Sequence, residues 1–193
     1  MELVFATRNK NKIFEIQQLL PQHMTLLSLD DIGCFTDISE TAQTLQGNAR
    51  LKADHVTQNY GLACFADDTG LMVDFLNGAP GVHSARYAGE HHNAEANMDK
   101  LLREMKGAKD RSAHFATAIA LNHKGETTFF EGTVHGSITH QKKGEMGFGY
   151  DPVFLPSGYD KTFAQLPLAI KNNISHRGKA FLKLITHLSH VEN

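Results

Sequence analysis

Apolar positions change their spacing along this chain, and the changes mark its elements. Leu3-Val4-Phe5-Ala6 is a continuous apolar run of strand length. Ile13, Ile16, Leu19 and Leu20 then recur at helical spacing until Pro21 closes the segment. Thr25 to Leu29 reads as a second strand. Ala49, Ala53, Val56 and Tyr60 form one helical stripe ending at Gly61. Leu62 to Ala66 is strand-like and runs directly into Asp67-Asp68-Thr69-Gly70, where the strand is expected to end. Met98, Leu101, Leu102 and Met105 predict an amphipathic helix with Gly107 as its C-cap. The period then switches to two. Ala113 to Leu121 and Thr127 to Ile138 predict long strands joined by Asn122-His123-Lys124-Gly125. A glycine-rich loop spans 144–151, and Ser175 is the expected N-cap of a last helix burying Phe181, Leu184, Ile185 and Leu188. Strands and helices that alternate before a hairpin predict an α/β fold with a mixed sheet flanked by helices. Neither a repeat nor a Pro/Ser-rich linker interrupts residues 1–193, so a single domain is expected.

Composition narrows the function classes. The 193 residues are 41% hydrophobic and 21% charged, which is globular composition. Lys+Arg 19 against Asp+Glu 21 leaves a net charge of −2, without the basic footprint that a polymeric nucleic acid requires. A small phosphorylated ligand needs only a few placed cations. No apolar run approaches the roughly 18–20 residues of a membrane span, so no membrane partner is expected. The opening Met1 to Phe5 lacks a basic, apolar leader, and Cys34 and Cys64 cannot form a disulfide framework. These features lead to the expectation of a cytoplasmic protein with two reduced thiols.

Four segments could carry chemistry. Thr7-Arg8-Asn9-Lys10-Asn11-Lys12 joins the first strand to the first helix, where helix N–H groups and lysines can meet phosphate. Asn9 or Asn11 could cap that helix; the segment is not a Walker A loop. Asp67-Asp68 sets two carboxylates together after an apolar strand, an arrangement that needs a cation or donors, and Glu40 is a further oxygen ligand for Mg²⁺. The same triplet Asp68-Thr69-Gly70 admits an aspartic-protease reading, which would need a dimer because it occurs once. Gly147-Phe148-Gly149-Tyr150-Asp151-Pro152 could lay a ring against a base, with Asp151 accepting hydrogen bonds from base or sugar. Ser175-His176-Arg177 opens a helix with two donors, and Lys171 lies one turn upstream. The other histidines, including His91-His92 and His187 with His190, show no metal-ligand spacing.

In order along nearly the whole chain, these segments resemble the inosine triphosphate pyrophosphatase (Ham1-like) family. The resemblance rests on Phe5 to Lys12 with Glu15, Glu40-Thr41, Gly47-Asn48-Ala49 with Lys52-Ala53, and Phe65 to Leu71. It continues through Gly78 to Gly81, Ser84 to Tyr87, Gly147 to Pro152 and Ile174 to Gly178. It implies an elongated mixed sheet, two lobes with a central nucleotide cleft, and a homodimer. It also implies Mg²⁺-dependent cleavage of ITP, dITP and XTP to the monophosphate and pyrophosphate. By position it implies that Thr7, Arg8, Asn9, Lys10, Asn11 and Lys12 bind triphosphate, that Glu40 and Asp68 hold Mg²⁺, and that Asp68 accepts the proton. Thr69, Phe148, Gly149, Tyr150, Asp151, Lys171, His176 and Arg177 would complete the nucleotide site. Two departures stand out: Arg8 where many relatives have Gly, and Leu168-Ala169-Ile170 where they often carry acidic residues. Maf-like pyrophosphatases and a non-catalytic nucleotide-binding module are the alternatives to test.

Overall fold

The computed structural model describes residues 1–89 and 93–191. Along the chain run β1 (Glu2–Phe5), α1 (Lys10–Gln17), β2 (Thr25–Leu27), α2 (Leu45–Tyr60), β3 (Cys64–Val73) and β4 (Pro80–Gly81). They are followed by α3 (Ala94–Glu104), β5 (Ser112–His123), β6 (Glu126–Ile138), β7 (Phe154–Pro156), α4 (Leu168–Ile174) and α5 (His176–Val191). The strands form a sheet in the order β2-β1-β3-β5-β6-β7, with β4 paired to β3. β1 is parallel to β2 and β3, whereas β4 is antiparallel to β3 and β7 to β6. The fold is therefore α/β with a mixed sheet, as the pattern predicts.

The chain divides into two compact units, the first comprising Met1–Asp68, Thr117–Gly132 and Arg177–Asn193. Here the sheet is buried on both faces, and side chains sort by parity as a pleated strand requires. Leu3, Phe5, Phe65, Ile119 and Leu121 pack against Ile16 of α1 and Ala180, Phe181, Leu184 and Leu188 of α5. Val4, Ala6, Cys64, Ala66 and Ala120 pack against Ala49, Ala53 and Val56 of α2. Each fully buried Phe or Leu contributes about 1.5–3 kcal/mol over its exposed state. Phe5 stacks on Phe65 with ring centroids 4.5 Å apart. The β5–β6 hairpin turns at Lys124 and Gly125, with φ of 51° and 82°, the left-handed pair of a two-residue type I′ turn.

The second unit comprises Thr69–Ala116 and Thr133–His176. Leu71 and Val73 of β3 meet Met98 and Leu101 of α3 and Met105 just beyond it, with Phe115, Phe154 and Phe163 completing the core. Arg111 ties the end of α3 to the end of β6 by donating to the carbonyls of Met105, Ile138 and Thr139 at 3.1, 2.6 and 2.8 Å.

Three expectations are corrected. Asp67 to Gly70 do not turn the chain: β3 continues through them to Val73, because each carboxylate finds compensating partners on its own face of the sheet. α3 ends at Glu104 with Met105 as its C-cap, and Gly107 lies in the turn beyond. β2 stops at Leu27, two residues short of Leu29.

Candidate active site

β3 aims two neighbouring carboxylates in opposite directions. Asp67 shares the face of Phe65, against α1 and α5, where Lys12 Nζ lies 2.7 Å from its Oδ1 and Arg177 Nε 3.2 Å from its Oδ2. Arg177 Nη1 also donates to Glu15 Oε2 at 2.7 Å. Burial alone would raise the Asp67 pKa. The charges of Lys12, Arg177 and Lys52 outweigh it and hold the carboxyl well below the ordinary range. Lys12 moves down, because burial outweighs the attraction of Asp67.

Asp68 faces α2. Asn48 Nδ2 donates to its Oδ2 at 3.0 Å, and Lys52, one turn further along α2, lies 2.5 Å from Glu40 Oε1. Burial and the charge of Glu40 push the Asp68 carboxyl up, against the pull of Lys52 and Lys12. For Lys52 burial works downward, but Glu40, Asp68 and Asp67 raise it on balance. Two adjacent aspartates thus differ in kind. Asp67 is fixed as an anion by two cations, while Asp68 sits where a proton or a further cation is favoured.

The segment between β1 and α1 is held in its own way. Asn9 caps α1, its Oδ1 accepting from Asn11 N and Lys12 N at 3.0 and 3.2 Å, which settles the choice between Asn9 and Asn11. Thr7 Oγ1 accepts from Asn9 N at 3.1 Å. Lys10 and Asn11 are exposed in the first turn of α1. Arg8 turns away from that turn: its Nη2 donates to Cys34 O at 2.6 Å and Thr36 O at 3.0 Å, and its Nε lies 3.5 Å from Asp30. The guanidinium braces the 30–36 loop instead of lying over the helix N-terminus.

In the second unit the glycine-rich loop is locked from within. Asp151 Oδ2 accepts from Phe148 N at 2.8 Å and from Lys171 Nζ at 2.5 Å, and both Asp151 and Lys171 are 3% exposed. Lys171 Nζ also lies 5.1 Å from the centre of the Phe148 ring. Gly147 has φ of 77°, and a Cβ there would fall 2.1 Å from Asp151 Oδ2. Tyr150 Oη donates to Ser84 O at 2.8 Å, while Gly149 is half-buried beside it. His176 is buried and stacked on Phe115, with centroids 4.6 Å apart and planes 14° from parallel. Thr69, half-buried, follows Asp68 in β3. Leu168-Ala169-Ile170 opens α4, with Ala169 and Ile170 exposed and Lys171 buried after them.

The oxygen donors suit a hard divalent cation. Among the described residues, no group of three or more His, Cys, Asp and Glu could hold a metal alone. Mg²⁺ does not need one, since it is commonly held by one or two carboxylates plus substrate phosphates. Glu40 and Asp68 offer such a pair. Both Asp67 oxygens already face cations, which leaves that carboxylate a supporting part. His187 packs its ring 5.4 Å from Phe130 and His190 Nδ1 lies 2.8 Å from Thr186 O, whereas His91 and His92 fall outside the described residues. Cys34 and Cys64 are free and buried, and burial pushes the Cys64 thiol up.

Glu15, Asn48 and Lys52 carry no role in the sequence reading, yet each touches a predicted site residue. Asn48 and Lys52 stand four residues apart on α2, one helical turn, and that spacing was the signal available.

A family model described as the Ham1 family matches residues 3–187. A dITP/XTP pyrophosphatase of Flavobacterium johnsoniae is 61% identical over 189 residues, 98% of each chain. One of Porphyromonas gingivalis is 52% identical over 184 residues, 95% of each chain. The solved structure of the Staphylococcus aureus Ham1 protein superposes with a TM-score of 0.89 at 40% identity, covering 98% of this chain and 99% of that one. A HAM1 protein from Coxiella burnetii matches with the same TM-score and coverage at 37% identity.

Proposed function

This chain belongs to the Ham1 family, and on that premise we propose that it is a nucleoside triphosphate pyrophosphatase acting on ITP, dITP and XTP. The products are the nucleoside monophosphate and pyrophosphate, and the two compact units serve as one pyrophosphatase domain, 1–193. The observation that carries the reading is the division of labour between Asp67 and Asp68. A hydrolase of phosphoanhydrides needs cations for the triphosphate and a carboxylate able to take a proton from water. Lys12 has three donors and gives one to Asp67, so the others remain suited to phosphate oxygens. The Asn9 cap takes the N–H groups of Asn11 and Lys12, so it is the positive end of the α1 dipole, beside the Lys12 ammonium, that favours the triphosphate.

Glu40 and Asp68 are the residues to hold Mg²⁺, which when bound supplies charge neutralisation on the phosphate oxygens. Asp68 orients the attacking water and takes its proton as the bond between the leaving pyrophosphate and the α-phosphorus breaks. Arg177 stays beneath this chemistry and keeps Asp67 anionic, so that Lys12 is held in place. Arg177, which the family resemblance puts in the nucleotide site, thus serves there through charge balance.

Base recognition falls to Phe148, with His176 as the hydrogen-bond donor and with Gly149, Tyr150, Asp151 and Lys171 holding the loop. A 6-keto acceptor, as in hypoxanthine and xanthine, suits a donor there. Adenine presents an amino group, and a donor facing a donor disfavours it by several orders of magnitude. The homodimer is part of the proposal and is read by light scattering. The deciding experiment is pyrophosphate release with Mg²⁺ from ITP, XTP, ATP, GTP and a pyrimidine triphosphate. Release from ITP and XTP far faster than from the others supports the reading. Equal rates, preference for the pyrimidine, or orthophosphate as product would sink it.

A further inference from the structure

Asn48 is 1% exposed, and its side-chain amide is read at both ends. Its Oδ1 accepts from Ala42 N at 2.9 Å and its Nδ2 donates to Asp68 Oδ2 at 3.0 Å. The first bond fixes which way the amide points, because only the oxygen can accept from a backbone N–H. The second then presents an N–H to the carboxylate. Ala42 lies two residues after Glu40, so one buried amide spans from the Glu40 segment to the Asp68 strand.

Two neighbours make this span rigid. Thr44 caps α2 by accepting from Gly47 N at 3.0 Å, which places Asn48 in the first turn of the helix. Gly47 lets the 40–42 segment close on that turn: a Cβ at residue 47 would fall 2.6 Å from Ala42 Cβ. One turn further on, Lys52 meets Glu40 at 2.5 Å. The N-terminal half of α2 thus holds Glu40 by one side chain and Asp68 by another.

We infer that Asn48 is a positioning residue that sets the separation and orientation of Glu40 and Asp68 for a divalent cation. The inference rests on the reading of those two carboxylates as the metal ligands. An amide donor to one carboxylate oxygen leaves Asp68 oriented before the cation arrives, which is how outer-shell partners tune metal sites. A side chain of similar volume without the amide would fill the space, remove this donor from Asp68 and release the backbone N–H of Ala42, two residues from Glu40.

Asn48→Leu tests this with two readouts on the full chain. Calorimetric titration with Mn²⁺ alone, without nucleotide, should show affinity weakened by roughly tenfold or more. Hydrolysis of ITP should show kcat falling by a similar factor while KM changes less than about threefold. A merely structural role would lower the melting temperature and leave Mn²⁺ affinity and the kcat-to-KM split alone; that result overturns the inference. If Asn48→Leu does not fold, Gly47→Ala decides, since it displaces the 40–42 segment without removing a polar group. Weakened Mn²⁺ binding in Gly47→Ala supports the inference, and unchanged binding refutes it. If the wild-type protein releases no pyrophosphate from ITP, the functional reading fails, while the Mn²⁺ titrations still decide the role of Asn48.

Discussion

Asp67 and Asp68 adjoin in the chain, yet β3 turns one carboxylate onto Lys12 and Arg177 and the other onto Asn48. The pleat makes one a structural anion and the other a candidate base. Their Asn variants should therefore fail in different ways.

Asp68→Asn should abolish pyrophosphate release and leave the fold intact. Because burial disfavours the Asp68 charge, the variant should be at least as stable as wild type at neutral pH. Urea unfolding beside the release assay checks both halves. Clear activity in a folded Asp68→Asn would remove that carboxylate from the chemistry.

Asp67→Asn should instead lose stability, about 3–5 kcal/mol, because Lys12 loses its carboxylate partner and Arg177 is left with Glu15 alone. The pH dependence has a definite sign. The folded pKa of Asp67 lies below its ordinary 3.8, so its stabilisation is present above that value and is lost as pH falls through the folded value. Asp68, shifted up, contributes in the opposite direction, favouring the fold below 3.8 and losing that as pH rises through its own folded value. Acid unfolding of wild type should thus be steeper than that of Asp67→Asn, measured by circular dichroism from neutral pH to about 2.

Breaking the buried Lys171–Asp151 pair should cost about 3–5 kcal/mol in Lys171→Met, since Asp151 is left charged and buried. The double variant Lys171→Met with Asp151→Leu should lose less than the two single losses added together. A double-variant cycle by thermal unfolding reads this coupling; strict additivity would show that the pair does not interact.

Gly147→Ala should destabilise the loop by about 1–3 kcal/mol, because Ala must adopt positive φ and its Cβ meets the Asp151 carboxylate. With Phe148 displaced, KM for ITP should rise more than kcat falls. An unchanged KM would separate the loop from base binding.

Much of the molecule was legible from pattern. The stripe Ala49, Ala53, Val56 and Tyr60 marks α2, the Lys124-Gly125 turn marks the hairpin, and Asn9 marks the start of α1. The ordered motifs around Asp68 and Phe148 were sufficient to place the family. Other features were misread for identifiable reasons. Asp67 to Gly70 have the composition of a turn, and only compensation on the two faces of the sheet lets them remain a strand. Arg8 falls in the segment read as binding triphosphate, and only the fold shows its guanidinium on the carbonyls of Cys34 and Thr36.

Local order and chemical inventory are written in the spacing of side chains, because helix period, strand period and caps depend on neighbours a few residues away. Which charge meets which is not local. Arg177 reaches Glu15 across 162 positions of chain and Asp67 across 110, and Lys12 reaches Asp67 across 55. No periodicity encodes such pairs. They exist because the sheet brings α1, α5 and β3 together and buries them, and in a desolvated interior an ionised group persists only where a partner already waits. Tertiary packing, and not composition, therefore decided that Asp67 is held as an anion between Lys12 and Arg177 and that Asp68 faces Asn48 instead.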